Sequence, residues 1–270
     1  MKNRVDGILA YFKSNGWRLD SEKDDGKTAS YILDPPNPKT TWWLPVPRSD
    51  SYEHWDRTMA YTVHMLSKIE ERSEAEVLDD LLNPFSDRLS FRIKSSAVAS
   101  GTVSLSSFRK LLSASTDIIK AAVKDVDSPE HQHKRLSGKA VKKLMDSAQV
   151  GQTGQGSFVF TVYIPVVEAD GSLNMYRDVL IHILNSFSSA VDEKWEKTAS
   201  TNLYRSLLAM DLWEDTEVEI SVKWSPLAKP SQHTRSATKI GKAVFGRIRE
   251  AMDDLNNSVS ENRVDDEMID

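Results

Sequence analysis

The sequence predicts an α+β protein, a mixed β-sheet with packed helices, and three observations carry that reading. Phe158-Val159-Phe160-Thr161-Val162-Tyr163-Ile164 is the most strand-like run in the chain. It is apolar or aromatic on both sides of an extended backbone, as expected of a central strand covered on both faces. Arg88 to Ser95 and Glu217 to Trp224 alternate apolar with polar residues, the period of half-buried strands. Between these strands, apolar residues recur at three- and four-residue spacing, which marks amphipathic helices. Long helices separating the later strands point to a mixed sheet with packed helices.

Taken in order, residues 3 to 17 read as a short amphipathic helix on Val5, Ile8, Leu9 and Phe12, ended by Asn15-Gly16. Trp17 to Lys27 is polar with a turn at Asp24-Asp25-Gly26. Ala29 to Leu33 and Thr41 to Val46 follow as short strands. Pro45 and Pro47 confine the second to a sheet edge, because proline cannot donate to a ladder. Asp50-x-x-Glu53 and Ser73-x-x-Glu76 are two capping boxes. The first opens a helix through Trp55, Met59, Val63 and Leu66, the second a short helix stopped by Asn83-Pro84. After the strand at Arg88 comes a long helix buried through Leu111, Ser115, Ile118, Ile119 and Ala122 and closed by Ser128-Pro129. A polar, basic stretch over 130–143 leads to the central strand. Helices from about Tyr176 to Trp195 and Asn202 to Leu212, the strand at Glu217, a loop over Pro226 to Ser236 and a last helix on Ile240, Val244 and Ile248 complete the chain. No linker cuts it, so residues 1–255 read as a single α+β domain, with 17–47 the one candidate for an outlying hairpin. Residues 256–270 read as a disordered acidic tail.

Composition narrows the function classes. The chain has 270 residues, 39% hydrophobic and 28% charged, within the range of water-exposed globular domains. No apolar run approaches the roughly 18 residues of a spanning helix, and Ile8 to Phe12 is too short for a secretory core, so no membrane contact and a cytoplasmic location are expected. The absence of cysteine removes disulfides, zinc ribbons, iron–sulfur clusters and thiol catalysis.

The net charge of −5 is unevenly spread. Val222 to Arg249 holds cations and no acid, whereas the run from Glu250 onward is acid-rich with Arg263 as its one cation. Lys223, Arg235, Lys239, Lys242 and Arg249, with Trp224 available for stacking, form the candidate anion-binding set. The tail is flexible enough to lie over that stretch and compete with an anionic ligand. Gly151-Gln152-Thr153-Gly154-Gln155-Gly156-Ser157 is a candidate loop for gripping a ligand or partner. It departs from a nucleotide-hydrolysing loop, with Ser157 where lysine is required and a strand following instead of a helix, and its plainest reading is a glycine hairpin or bulge entering the central strand. Trp42-Trp43, on the proline-bounded edge strand, is the candidate partner contact; alternation sends one indole to the core and the other outward. No metal site is expected. His131-x-His133 lies in a basic linker and reads as solvated, and His182 reads as a core-edge group. No nucleophile elbow or Ser–His–Asp set is recognisable.

Ser100-Gly101-Thr102-Val103-Ser104-Leu105, Val150-Gly151-Gln152-Thr153 with Gly156-Ser157-Phe158-Val159, Thr201-Asn202-Leu203, and Val218 to Trp224 resemble an uncharacterised bacterial family of hypothetical proteins. The resemblance covers about a third of the chain and implies a shared fold, with no activity to carry over. The expectation that follows is a non-catalytic binding or assembly subunit of a bacterial multi-protein system, without cofactor. Other protein subunits are its expected partners, nucleic acid is the partner its basic face points to, and phage defence is the expected setting. The alternative is a metal-dependent nuclease or other hydrolase whose site the sequence does not display.

Overall fold

The structure, a computed structural model, describes residues 4–20, 26–33, 41–98, 100–151, 158–168, 170–193, 199–231 and 233–253. The chain forms two compact units, one of Met1–Ser86, Val167–Ser172 and Trp224–Pro230, the other of Asp87–Val166, Leu173–Lys223 and Ser231–Asp270. The α+β class holds in both. The strands fall into two sheets, and the registered pairs are antiparallel, in place of one mixed sheet.

In the first unit, α1 (Arg4–Ser14) buries Val5, Ile8, Tyr11 and Phe12 on one stripe. Gly16 ends it at φ +80°, a left-handed conformation that a side chain would strain, and the Trp17 N–H donates to the Phe12 carbonyl at 2.9 Å. The strands β1 (Arg18–Asp20), β2 (Thr28–Leu33) and β3 (Trp42–Pro47) make a sheet of order β1-β2-β3. β1 falls in the stretch read only as polar: three residues with little strand character of their own are held extended by pairing Arg18 with Ile32. β3 is the edge, as its prolines require. The helix α2 (Trp55–Ile69) starts later than the Asp50-x-x-Glu53 box suggests, because Ser49 to His54 is taken up in turns and His54 makes no side-chain cap. By contrast α3 (Glu74–Leu82) carries its capping box in full: Glu76 N–H donates to Ser73 Oγ, and Ser73 N–H donates to Glu76 Oε2. Phe12, Trp17, Leu44, Leu66 and Leu81 belong to the core these elements enclose.

The second unit is built on a five-stranded sheet, β4 (Ser86–Lys94), β5 (Gln149–Val150), β6 (Phe158–Pro165), β7 (Glu217–Lys223) and β8 (Ala237–Ile240), in the order β5-β6-β4-β7-β8. Its helices are α4 (Leu105–Asp127), α5 (Lys139–Ser147), α6 (Tyr176–Val191), α7 (Thr201–Leu208) and α8 over 242–253. Strand β8 is a correction, since Lys239 and Ile240 sit on a strand rather than on the last helix. Ile240 fits the helical spacing to Val244, but pairing with Val218 of β7 decides its conformation.

One face of this sheet is buried. Leu89, Phe91 and Ile93, Phe158, Phe160 and Ile164, and Val218 and Ile220 all point to it, with Phe91 stacked on Phe160 at 5.2 Å and Phe108 of α4 edge-on to Phe158 at 5.6 Å. The opposite face, with Val159, Thr161 and Tyr163 of β6, is only half-buried. β6 is therefore covered on one side, not two. Its apolar outer residues are β-formers on a half-exposed surface, which sequence pattern does not separate from a second buried face. Val162→Asp is expected to place an unpaired charge in this core and to cost roughly 3 kcal/mol or more. Urea unfolding checks it; an unchanged midpoint in a folded variant contradicts the assignment.

Candidate functional site

The half-exposed face of the five-stranded sheet collects side chains from all five strands. Its middle row is small: the Gly151 N–H donates to the Thr161 carbonyl at 2.8 Å, and the Thr161 and Ser90 hydroxyls lie 2.9 Å apart. Ser90 faces Ser221, which faces Ala237. On one side of this row stand Tyr163 and the facing pair Arg88 and Lys223. On the other, Arg92 faces Glu219, which faces Lys239, and beyond them Lys94 faces Glu217. The face thus holds five cations (Arg88, Arg92, Lys94, Lys223, Lys239) against two acids (Glu217, Glu219), a balance of +3.

These cations differ in availability. Lys94 is committed to Glu217 at 2.7 Å, with Glu219 at 3.9 Å. Arg88 is buried, its guanidinium carbon 5.8 Å from the centre of the Tyr163 ring. Arg92, Lys223 and Lys239 are exposed, and neither Arg92 nor Lys239 has an ion-pair partner among the described residues. A shallow row of hydroxyls and glycine, with exposed Lys223 on one side and exposed Arg92 and Lys239 on the other, presents donors and positive charge to an extended anion.

The predicted anion-binding set is divided by the structure. Lys223 and Lys239 come together on the sheet face. Arg235 is paired with Asp192 at 2.8 Å, and Lys242 lies 3.3 Å from Asp211, which Arg249 also contacts. Arg247 lies 3.4 Å from Glu193. The run from Val222 to Arg249 lacks acids in sequence, yet acids from 192–211 neutralise much of it in space. Trp224, half-buried, belongs to the first unit. Arg92 and Tyr163 were absent from the predicted set. Alternation in β4 and β6 places both on outward faces, but only the strand order puts them on one face with Lys223 and Lys239.

Of the glycine loop, Gly151 is described; Gln152, Thr153, Gly154, Gln155, Gly156 and Ser157 lie outside the described residues, as does the acidic tail over 256–270. Gly151 extends the β5 pairing, and its φ is not in the left-handed region. Its need for glycine comes from Tyr163, whose ring would meet an added Cβ at 2.4 Å. In the first unit, Trp42 packs against the core, whereas Trp43 is 45% exposed and donates from Nε1 to Asp20 Oδ2 at 3.2 Å.

A second polar cluster lies among the helices of the second unit. Asp125 of α4 is fully buried and accepts from His133 Nε2 at 2.7 Å, His182 Nε2 at 3.1 Å and the Ser200 N–H at 3.1 Å. His133 is therefore not a solvated linker residue. Asn202 exchanges hydrogen bonds with both its N–H and its carbonyl, seating it in the interior. Sequence gave no signal for this, since the residues come from four separate segments. Burial raises the Asp125 pKa, but the hydrogen bonds from His182, Ser200 and His133 outweigh it and hold the carboxyl below the ordinary aspartate range. A group with a depressed folded pKa contributes stability that is present above its unfolded pKa of about 4 and lost as pH falls through the folded value. Wild type should thus lose stability in acid below about pH 4 more steeply than Asp125→Asn, which cannot titrate there; parallel urea-midpoint curves contradict this.

The cluster ties α4, α6, α7 and the 128–138 segment together, with its imidazoles spent on the carboxylate. Among the described residues no group of three or more His, Asp or Glu side chains could hold a metal ion. No described helix is long and apolar enough to cross a membrane. No family model matches the chain, and no curated protein or solved structure is detectably similar to it.

Proposed function

We propose that the protein is a non-catalytic binding subunit that holds nucleic acid on the half-exposed face of its five-stranded sheet. The observation that supports this is the charge of that face: exposed Arg92, Lys223 and Lys239 flank a row of small hydroxyl residues, with five cations against two acids. Phosphates spaced along a strand are the anions an extended cationic surface suits best, and each contact releases a counterion. The exposed Trp43 on strand β3 supports the protein-partner half of the reading, since an exposed indole offers a large apolar surface with a polar edge to another chain. A cytoplasmic setting within a larger assembly belongs to the same proposal.

The test is fluorescence anisotropy of a labelled mixed-sequence oligonucleotide with the full chain at 50 and 200 mM salt. Binding with a negative log–log salt slope of about 2 or more, matching three or more phosphate contacts, is expected. Absence of binding at the lower salt, or binding indifferent to salt, overturns the proposal.

A further inference from the structure

The polar stretch ahead of the central strand folds into a helix whose outer face is unbalanced in charge. Val141 and Leu144 of α5 are buried, and the helix packs on α4 and β6. Buried Tyr176 of α6 meets it from the inside, its hydroxyl donating to the Ala140 carbonyl at 3.3 Å. Phe108 holds α4 against the buried face of the sheet, so α5 belongs to the helical layer on that side. Arg92 and Lys239 lie on the other. Over 134–147 the exposed charges are Lys134, Arg135, Lys139, Lys142 and Lys143 against Asp146, and no exposed side chain there is apolar. Lys142 lies 2.8 Å from Asp146. Lys134, Arg135, Lys139 and Lys143 have no ion-pair partner among the described residues.

We propose that the outer face of α5, with Lys134 and Arg135 before it, takes the phosphate backbone of a nucleic-acid duplex. One copy of the chain then holds two nucleic-acid segments, one on each side of the five-stranded sheet. The bridging rests on the sheet-face reading above; the α5 surface stands without it. Charge complementarity calls for a polyanion, and the chemistry of the face selects which one. Protein interfaces are depleted in lysine and centred on buried apolar or aromatic groups, and this face exposes none. It likewise gives an unpaired base no ring to stack on. What remains is point charge on long flexible stems, which suits backbone phosphate without reading sequence. A duplex offers the denser row of it, about one negative charge per 1.7 Å of axis. Lys139 and Lys143 stand one turn apart on the helix, a rise of about 6 Å, so both can reach one duplex.

The experiment uses the full chain at 50 mM salt with two probes, a 20-base-pair DNA duplex and an unrelated 12-nucleotide single strand. Anisotropy is measured for wild type, Lys139→Gln/Lys143→Gln, Lys139→Arg/Lys143→Arg and Arg92→Gln/Lys239→Gln, with melting curves to establish that each is folded. Lys139→Gln/Lys143→Gln should lose roughly ten-fold in duplex affinity, and its log–log salt slope should flatten by about 1 to 2. Its single-strand affinity should fall less than about three-fold, the share of long-range attraction. The arginine variant, which keeps the charge, should stay close to wild type. Polyglutamate should displace the duplex poorly. For bridging, duplex is immobilised on beads, loaded with protein and offered the labelled single strand. Wild type should retain the label, and neither glutamine variant should. An equal mixture of the two glutamine variants should also fail, because each copy lacks one surface.

Duplex affinity unchanged in Lys139→Gln/Lys143→Gln, or equal losses for both probes, would overturn the α5 surface and leave the sheet-face reading in place. Displacement by polyglutamate as readily as by free duplex would assign the helix to an acidic protein and overturn it too. Retention by the mixed variants, or no retention by a wild type that binds both probes, would overturn bridging by one copy. Duplex binding that depends on Lys139 and Lys143 without any single-strand binding supports the α5 surface, while the sheet-face reading fails and bridging with it. If neither probe binds wild type, both surfaces fail.

Discussion

Asp87→Ala is expected to destabilise the second unit by about 3–5 kcal/mol, the range for removing one partner of a buried ion pair. Arg177 Nε lies 2.6 Å from Asp87 Oδ2, and Nη2 donates to Oδ1 at 2.8 Å, a bidentate contact that joins β4 to α6. Both residues are buried, Asp87 completely. Without the carboxylate, the guanidinium stays positive inside the protein, because arginine does not deprotonate at accessible pH. The cost comes from that stranded charge and not from loss of a favourable pair as such. The double variant Asp87→Leu/Arg177→Met should accordingly recover most of the loss, since apolar replacement of a buried pair is often neutral or stabilising. Urea unfolding of the two variants checks this. A single variant within about 1 kcal/mol of wild type, or a double variant no better than the single, contradicts the assignment.

Much of the fold was legible wherever local pattern and tertiary environment agree. The alternation of Phe158, Phe160, Val162 and Ile164 gives β6 and its buried face directly. Ser73 and Glu76 mark the start of α3 because capping is a local reaction between a side chain and a nearby N–H. Pro45 and Pro47 place β3 at an edge for an equally local reason, and the neighbouring indoles separate into a packed Trp42 and an exposed Trp43 as alternation requires.

The remainder depends on contacts between distant segments. β1 and β8 are strands because of what they pair with, not because of their own composition; Ile240 satisfies a helical spacing and is nonetheless on a ladder with Val218. His133 sits in a segment that reads as polar and basic, and only Asp125 and Asn202, brought from elsewhere, make its burial tolerable. The candidate site has the same character. A basic run counted along the chain includes Arg235, Lys242 and Arg249, which meet Asp192 and Asp211 in space. It omits Arg92 and Tyr163, which reach the site through the strand order β5-β6-β4-β7-β8.

That contrast gives the second large effect. Removing two positive charges from the sheet face and removing two from the ion-paired set change the net charge equally, so any difference reports location alone. Arg92→Gln/Lys239→Gln takes away cations with no ion-pair partner among the described residues, which should contact phosphate directly. Arg235→Gln/Lys242→Gln takes away cations already facing Asp192 and Asp211, and it leaves Arg249 on the buried Asp211 carboxylate. At 50 mM salt the sheet-face variant should lose roughly 30- to 100-fold in affinity for a single-stranded oligonucleotide, with its log–log salt slope flattened by about 1 to 2. The ion-paired variant should lose less than about five-fold, the residue of long-range attraction at that salt.

Anisotropy titration of wild type and these two charge-matched variants, side by side at 50 and 200 mM salt, is the most direct measurement of whether the open sheet face is the binding surface. A large loss confined to Arg92→Gln/Lys239→Gln is the predicted result. Equal losses in both variants, a larger loss in Arg235→Gln/Lys242→Gln, or no binding by wild type would contradict it.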